Sequence, residues 1–171
     1  MPEIVITEFM DEAAIRAAFS GRDVLYDPKL VDDAPRLLAE ASVARALIVR
    51  NRTQVRGALL ESATNLRVIG RLGVGLDNID VAACEARGIA VYPASGANDL
   101  SVAEYVITAA LVLLRKAWSA TARVAAGEWP RTELMGRELA GKRLGLVGFG
   151  AIARVTARMG RDLGMTVAAC D

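Results

Sequence analysis

An α/β chain with parallel strands is predicted for these 171 residues, and two patterns predict it. Short apolar runs of strand length alternate with helical segments along the first half, which is the rhythm of βα units rather than of hairpins. From Arg143 onward the chain reads as strand, glycine turn, helix, strand and acid.

Each element follows from local chemistry. Residues 4–7 read as a strand and 12–19 as a helix. Residues 24–26 form a second strand and 32–41 a second helix, with Pro35 in the first turn, where its missing N–H is no loss. Further strands fall at 46–49, 68–72 and 89–92, with helices near 55–62 and 81–87. Gly88 fits the left-handed position that ends the last of these. Such short, continuous apolar strands suit a parallel sheet covered on both faces.

A boundary falls near residues 93–100, where Pro93, Ser95, Gly96, Asn98 and Asp99 supply loop chemistry. Ser101 and Glu104 have capping-box spacing, which predicts a helix from 101 to about 126, stopped by Gly127. Its apolar stretch, 105–114, is too short to span a bilayer and predicts a buried helix. The chain therefore divides near residues 93–100.

Composition excludes several function classes. Hydrophobic residues at 53% and charged residues at 24% describe an ordered globular chain, not a disordered one. A net charge of +1 gives no general attraction to nucleic acid or an anionic membrane. Cys84 and Cys170 stand in no metal or redox spacing, so no metal site is expected and both read as buried thiols of a cytoplasmic protein. The N-terminal residues carry Glu3 and Glu8 rather than a basic segment, so no secretory signal is expected. There is no histidine, so no imidazole of this chain can act as acid, base or ligand.

The C-terminal stretch carries the sharpest chemistry. A strand at 143–147 meets Gly148-Phe149-Gly150, a helix follows over 151–163, and a second strand at 165–170 ends in Asp171. This is the first βαβ unit of a Rossmann NAD-binding domain. Gly148 permits the tight turn, and Gly150 lets backbone approach a pyrophosphate. The N–H groups of Ala151 and Ile152 open the helix toward the phosphates. Ala153 stands where glycine is commoner, a replacement that close helix–strand packing tolerates. Asp171 lies 23 positions after Gly148, near the ~20 typical of a ribose-binding carboxylate, and would repel a 2′-phosphate; NAD is expected over NADP.

Four further segments in order resemble the D-isomer-specific 2-hydroxyacid dehydrogenases, in particular the 3-phosphoglycerate dehydrogenase-like branch. They are V-R-N-R-T at 49–53, R-L-G-V-G-L-D-N-I-D at 71–80, N-D-L-S-V-A-E at 98–104 and G-R-E-L-A-G-K-R-L-G-L-V-G-F-G at 136–150. The G-E-W at 127–129 also looks like the family's G-x-W. The resemblance covers essentially the whole chain. It implies a flavodoxin-like substrate domain over 1–98, with a linker helix and the start of the cofactor domain over 99–171. It implies an active site in the cleft between the two domains.

By the same resemblance, the Gly73-Val74-Gly75 turn offers backbone N–H groups, chiefly of Val74 and Gly75, to the substrate carboxylate; two stripped glycines suit an anion nest. Arg50, Asn51 and Arg52 fall at a strand end, where open α/β sheets place ligand groups, and two guanidinium forks suit a second anion on the substrate. Alternate residues at a strand end face opposite sides, so the forks need not converge. Arg123 matches a basic substrate contact of phosphoglycerate-type members, and Asn98 and Ser101 match positions lining the cleft. Asp77, Asn78 and Asp80 read as turn and capping residues.

The family's catalytic arginine, glutamate and histidine would lie downstream of residue 171, so no catalytic residue is expected here. The 171-residue chain, read as C-terminally truncated, is expected to be inactive alone. The reaction implied is hydride transfer between NAD and C2 of a small D-2-hydroxy acid, such as 3-phosphoglycerate or another dianion. The alternative is a non-catalytic NAD-responsive regulatory protein of the same architecture. Partners expected are a small anionic 2-hydroxy or 2-oxo acid and, for an intact parent, a second copy in a homodimer; neither nucleic acid nor membrane is expected.

Overall fold

A computed structural model describes residues 2–171, without the side chain of Ala117. Two compact units divide the chain, Met1–Ala97 and Asn98–Asp171. In the first, strands β1 (Ile4–Ile6), β2 (Val24–Tyr26), β3 (Ala46–Val49), β4 (Val68–Arg71) and β5 (Ala90–Pro93) form one parallel sheet. Their order is β2-β1-β3-β4-β5, the flavodoxin-like winding, which reverses direction between β1 and β3.

The connecting helices are α1 (Glu12–Ala18), α2 (Ala34–Val43), α3 (Gly57–Ser62) and α4 (Val81–Ala86), with a 3-10 turn at Leu30–Asp32. Three of the four start on an aspartate. Asp11 accepts from the Ala14 N–H at 2.8 Å, Asp33 from Arg36 at 3.1 Å and Asp80 from Ala83 at 2.9 Å. The third helix starts at Gly57 rather than near 55, because Val55 forms an isolated bridge with Ile79 instead.

Strand alternation sorts the core. Val5, Leu47 and Ile69 pack with Leu37, Ala41, Leu59 and Cys84 under α2, α3 and α4. Ile4 and Ile6 pack on the opposite face with Ile15 of α1. On that face the cover is incomplete: a groove of about 530 Å³ runs over Ala46, Ile48, Val68 and Tyr92.

The second unit contains α5 (Asp99–Arg115), α6 (Ala117–Ala125), β6 (Arg143–Val147), α7 (Ala151–Asp162) and β7 (Thr166–Cys170). The two strands pair in parallel, Arg143 opposite Thr166 and Val147 opposite Cys170. Gly160 lets α7 close on them, since a Cβ there would stand 3.0 Å from Leu144 Cδ2.

Four expectations are corrected here. The helix expected over 101–126 is two helices, broken at Lys116, whose backbone is left-handed (φ 56°). The returning chain explains the stop: the Arg137 N–H donates to the Leu114 carbonyl at 2.8 Å, and Gly136 fits because it has no Cβ. Ser101 is not the cap, because Asn98 is the N-cap residue and Asp99 places an acid in the first turn, where the helix dipole favours it. The apolar stretch is not fully buried: Ala103 and Ile107 are, while Tyr105 and Leu113 are exposed. Cys84 is buried as expected, but Cys170 is exposed, since one face of the two-stranded sheet has no cover. Among the described residues, no helix is long and apolar enough to cross a membrane.

Candidate functional site

In an open α/β sheet, ligands bind beyond the carboxyl ends of the strands, at the point where the winding reverses. Here that point lies between β1 and β3, and the chain has built a clamp there. The buried Glu8, just past β1, accepts from four consecutive backbone N–H groups of the loop after β3. Arg50 and Thr53 donate to Oε1 at 2.9 and 3.0 Å, and Asn51 and Arg52 to Oε2 at 3.2 and 3.0 Å. Burial pushes the Glu8 carboxyl up, but the N–H groups of Thr53, Arg50 and Arg52 outweigh it and hold the pKa below its ordinary value.

Asn78 completes the clamp from the other side. Its amide donates to the Thr53 carbonyl at 2.7 Å and to the Arg50 carbonyl at 3.3 Å. Thr7 and Thr53 share a hydroxyl hydrogen bond of 2.7 Å beneath them. The four N–H groups of residues 50–53 are thus all engaged, and the side chains of Arg50, Asn51 and Arg52 are exposed. The two guanidinium groups go to different partners. Arg50 lies over the Phe9 ring, 6.0 Å from its centroid, while Arg52 is paired with Asp32, which raises its pKa further.

The loop after β4 adjoins this one, because the Leu72 N–H donates to the Val49 carbonyl at 2.8 Å. Gly73 has φ 155°, and Gly75 follows with no side chain to cover its amide. The N–H groups of Val74 and Gly75 donate to no acceptor among the described residues. Arg71, at the end of β4, folds its guanidinium over Gly73: a Cβ there would fall 1.4 Å from Nη1. Its Nε is buried with no partner.

In the second unit, Gly148 takes φ 88° and donates to the Cys170 carbonyl at 2.6 Å, closing the turn between β6 and α7. Gly150 caps α7 without a side chain, and no acid stands in the first turn, so the N–H groups of Ala151 and Ile152 remain open. No Cβ neighbour crowds Gly148 or Gly150 within 4 Å. Asp171 accepts from the Phe149 N–H at 3.0 Å, which sets its carboxylate beside the turn. These features fit a dinucleotide: open amides for the pyrophosphate and a carboxylate at the strand end for the ribose.

Other candidates are less free. Arg123 donates to Glu133 Oε2 and Glu128 Oε2, both at 2.7 Å, and these carboxylates push its pKa up, so its charge is already matched. Asn98 and Ser101 are exposed in the first turn of α5 and make no side-chain cap. Glu8 and Arg71 escaped the sequence reading. Nothing in the order of residues marks Glu8 apart from Asp11 or Glu12. For Arg71, its place two residues before Gly73 was the available signal.

Residues 4–170 match the family described as D-isomer specific 2-hydroxyacid dehydrogenase, catalytic domain. The chain is 56% identical over its full length to the (S)-sulfolactate dehydrogenase of Chromohalobacter salexigens and spans 55% of that protein. It is 37% identical over its full length to the D-3-phosphoglycerate dehydrogenase of Methanocaldococcus jannaschii, spanning 32% of it. Among solved structures, a D-lactate dehydrogenase from Aquifex aeolicus, complexed with NAD and lactic acid, superposes with a TM-score of 0.87. That alignment has 26% identity and covers 98% of this chain and 51% of that one. The chain thus spans about a third to a half of these relatives. With the sheet order, the loop after β4 and the glycine turn all in place, it belongs to the D-isomer-specific 2-hydroxyacid dehydrogenase family.

Proposed function

We propose that this chain serves hydride transfer between NAD and C2 of a small D-2-hydroxy acid that carries a second anionic group. Sulfolactate is the leading candidate and 3-phosphoglycerate the next, following the relatives at 56% and 37% identity. The observation that carries the reading is the pair of unpartnered amides at Val74 and Gly75, beside the rigid, arginine-bearing loop 50–53.

In this reading each unit holds one reactant. Val74 and Gly75 donate to the C1 carboxylate, as an anion nest does. Arg50, which has no carboxylate partner among the described residues, meets the second anion, with Arg52 drawn in from Asp32. Ala151 and Ile152 hold the pyrophosphate of NAD, and Asp171 accepts from the ribose hydroxyls and disfavours a 2′-phosphate. When bound, the nicotinamide takes up or gives the hydride. The hydroxyl proton needs an acid–base group, and with no histidine in these residues imidazole is not supplied here. The 171 residues are therefore proposed to bind both reactants without turnover.

Titration calorimetry with NAD and NADP tests the cofactor half. NAD should bind more tightly, and Asp171→Asn should narrow the gap by about tenfold, or ~1.4 kcal/mol. A preference for NADP would overturn the assignment of Asp171, and no saturable NAD binding would overturn the reading as a whole.

A further inference from the structure

We propose that Phe9 is a positioning residue for the second anion of the substrate, its ring holding the Arg50 guanidinium in place at the end of the sheet. The proposal rests on the reading of Arg50 given above. Three features of the segment after β1 lead to it.

The first is that packing does not account for Phe9. Its side chain is 63% exposed, and it lies outside both hydrophobic clusters of the first unit. Its neighbours along the chain all have partners. Glu8 accepts the four N–H groups of the loop after β3, the Met10 carbonyl accepts from the Tyr26 hydroxyl at 3.0 Å, and Asp11 caps α1. The chain on either side of Phe9 is therefore fixed. It sets the ring just past the carboxyl end of β1, beside the reversal of the winding.

The second is the contact that the ring makes. The Arg50 guanidinium carbon lies over it, 6.0 Å from the centroid. The Arg50 backbone is held independently, its N–H by Glu8 at 2.9 Å and its carbonyl by the Asn78 amide at 3.3 Å. Held at its root and attracted to a ring at its tip, this long side chain gives up rotamer freedom before a ligand arrives. Less is then lost on binding.

The third is the contrast with Arg52. That guanidinium meets the Asp32 carboxylate, which offsets its charge, whereas Arg50 has no carboxylate partner among the described residues. A ring face attracts a cation without carrying a net charge of its own. Arg50 therefore presents its full charge and its planar fork to a sulfonate or phosphate. A carboxylate at position 9 would also hold the side chain, but it would cancel the charge that the substrate needs.

NMR on the isotope-labelled full chain tests this, following the Arg50 Nε–H and the amides of Val74 and Gly75, with (S)-sulfolactate and D-lactate as probes. In the wild type the Arg50 Nε–H should carry a ring-current shift and should respond to sulfolactate. D-lactate, which has no second anion, should move only Val74 and Gly75. Phe9→Leu keeps an apolar side chain without a π face; it should abolish the ring-current shift and weaken sulfolactate binding about threefold, leaving D-lactate unchanged. Phe9→Trp should keep wild-type sulfolactate affinity or improve it, since indole offers the best face. Unchanged sulfolactate affinity in Phe9→Leu would overturn the proposal and leave the proposed function standing, and an equal loss for both acids would overturn it in favour of a structural role. Should Phe9→Leu fail to fold, absence of the ring-current shift in the wild type would overturn it instead. Sulfolactate binding that leaves the wild-type Arg50 resonance unmoved would overturn the reading of Arg50, and this proposal with it.

Discussion

Glu8 shows how one side chain can shape a binding edge without touching a ligand. By accepting four successive N–H groups it fixes the loop 50–53 and leaves the side chains of Arg50, Asn51 and Arg52 exposed. Glu8→Gln halves the accepting capacity and turns an NH2 group toward donors. It should lower stability by about 3 kcal/mol, read as the urea midpoint at neutral pH. Because the folded pKa is depressed, the ionised Glu8 contributes fully above its ordinary value of 4.5, and its contribution is lost as pH falls through the lower folded value. The gap between wild type and Glu8→Gln should therefore close in acid; a gap independent of pH would contradict the clamp. None of this was legible in the sequence, because the partners lie more than forty positions away and only the β1–β3 pairing brings them together.

At the scale of elements, the strands were legible and the helix ends were not. The expected strands at 24–26, 46–49 and 143–147 coincide with β2, β3 and β6 because the apolar run itself sets the strand's length. Helix ends depend on who satisfies the last carbonyls. The break at Lys116 carries no glycine or proline, and its cause, the approach of Gly136 and Arg137 to Leu114, lies about twenty residues on. Lys116→Gly should relieve the left-handed strain and raise stability by about 1 kcal/mol in thermal unfolding. Gly136→Ala should do the reverse, because its Cβ would meet the Leu114 carbonyl oxygen at 2.6 Å. If both changes were neutral, the account of the break would be wrong.

The whole molecule is uneven. The first unit packs core residues on both faces of a five-stranded sheet, whereas the second rests on two strands. Tyr105, Leu113, Trp118, Trp129 and Met135 are largely exposed and Val147 fully so, all of them in the second unit. Two-stranded sheets are marginal, and apolar exposure of this extent invites association. Hydrogen exchange should find Val5, Leu47 and Ile69 protected, with residues 143–171 exchanging far sooner. Equal protection in both units would contradict this. The alternation of strands and helices gave the parallel sheet directly, but the strand order came only through the resemblance, since spacing alone does not tell β1-β3 pairing from β1-β2-β3. The backbone features at Val74, Gly75, Gly148 and Gly150 were legible because glycine spacing marks them, whereas the side-chain pairing at Arg52, Arg71 and Arg123 was not.

The most direct test is a titration of the isotope-labelled chain with NAD and then (S)-sulfolactate, following amide shifts and NADH absorbance in one sample. The account expects NAD to move residues 148–152, sulfolactate to move Val74 and Gly75, and no NADH to form. Turnover by this histidine-free chain, or silence at both loops, would contradict it.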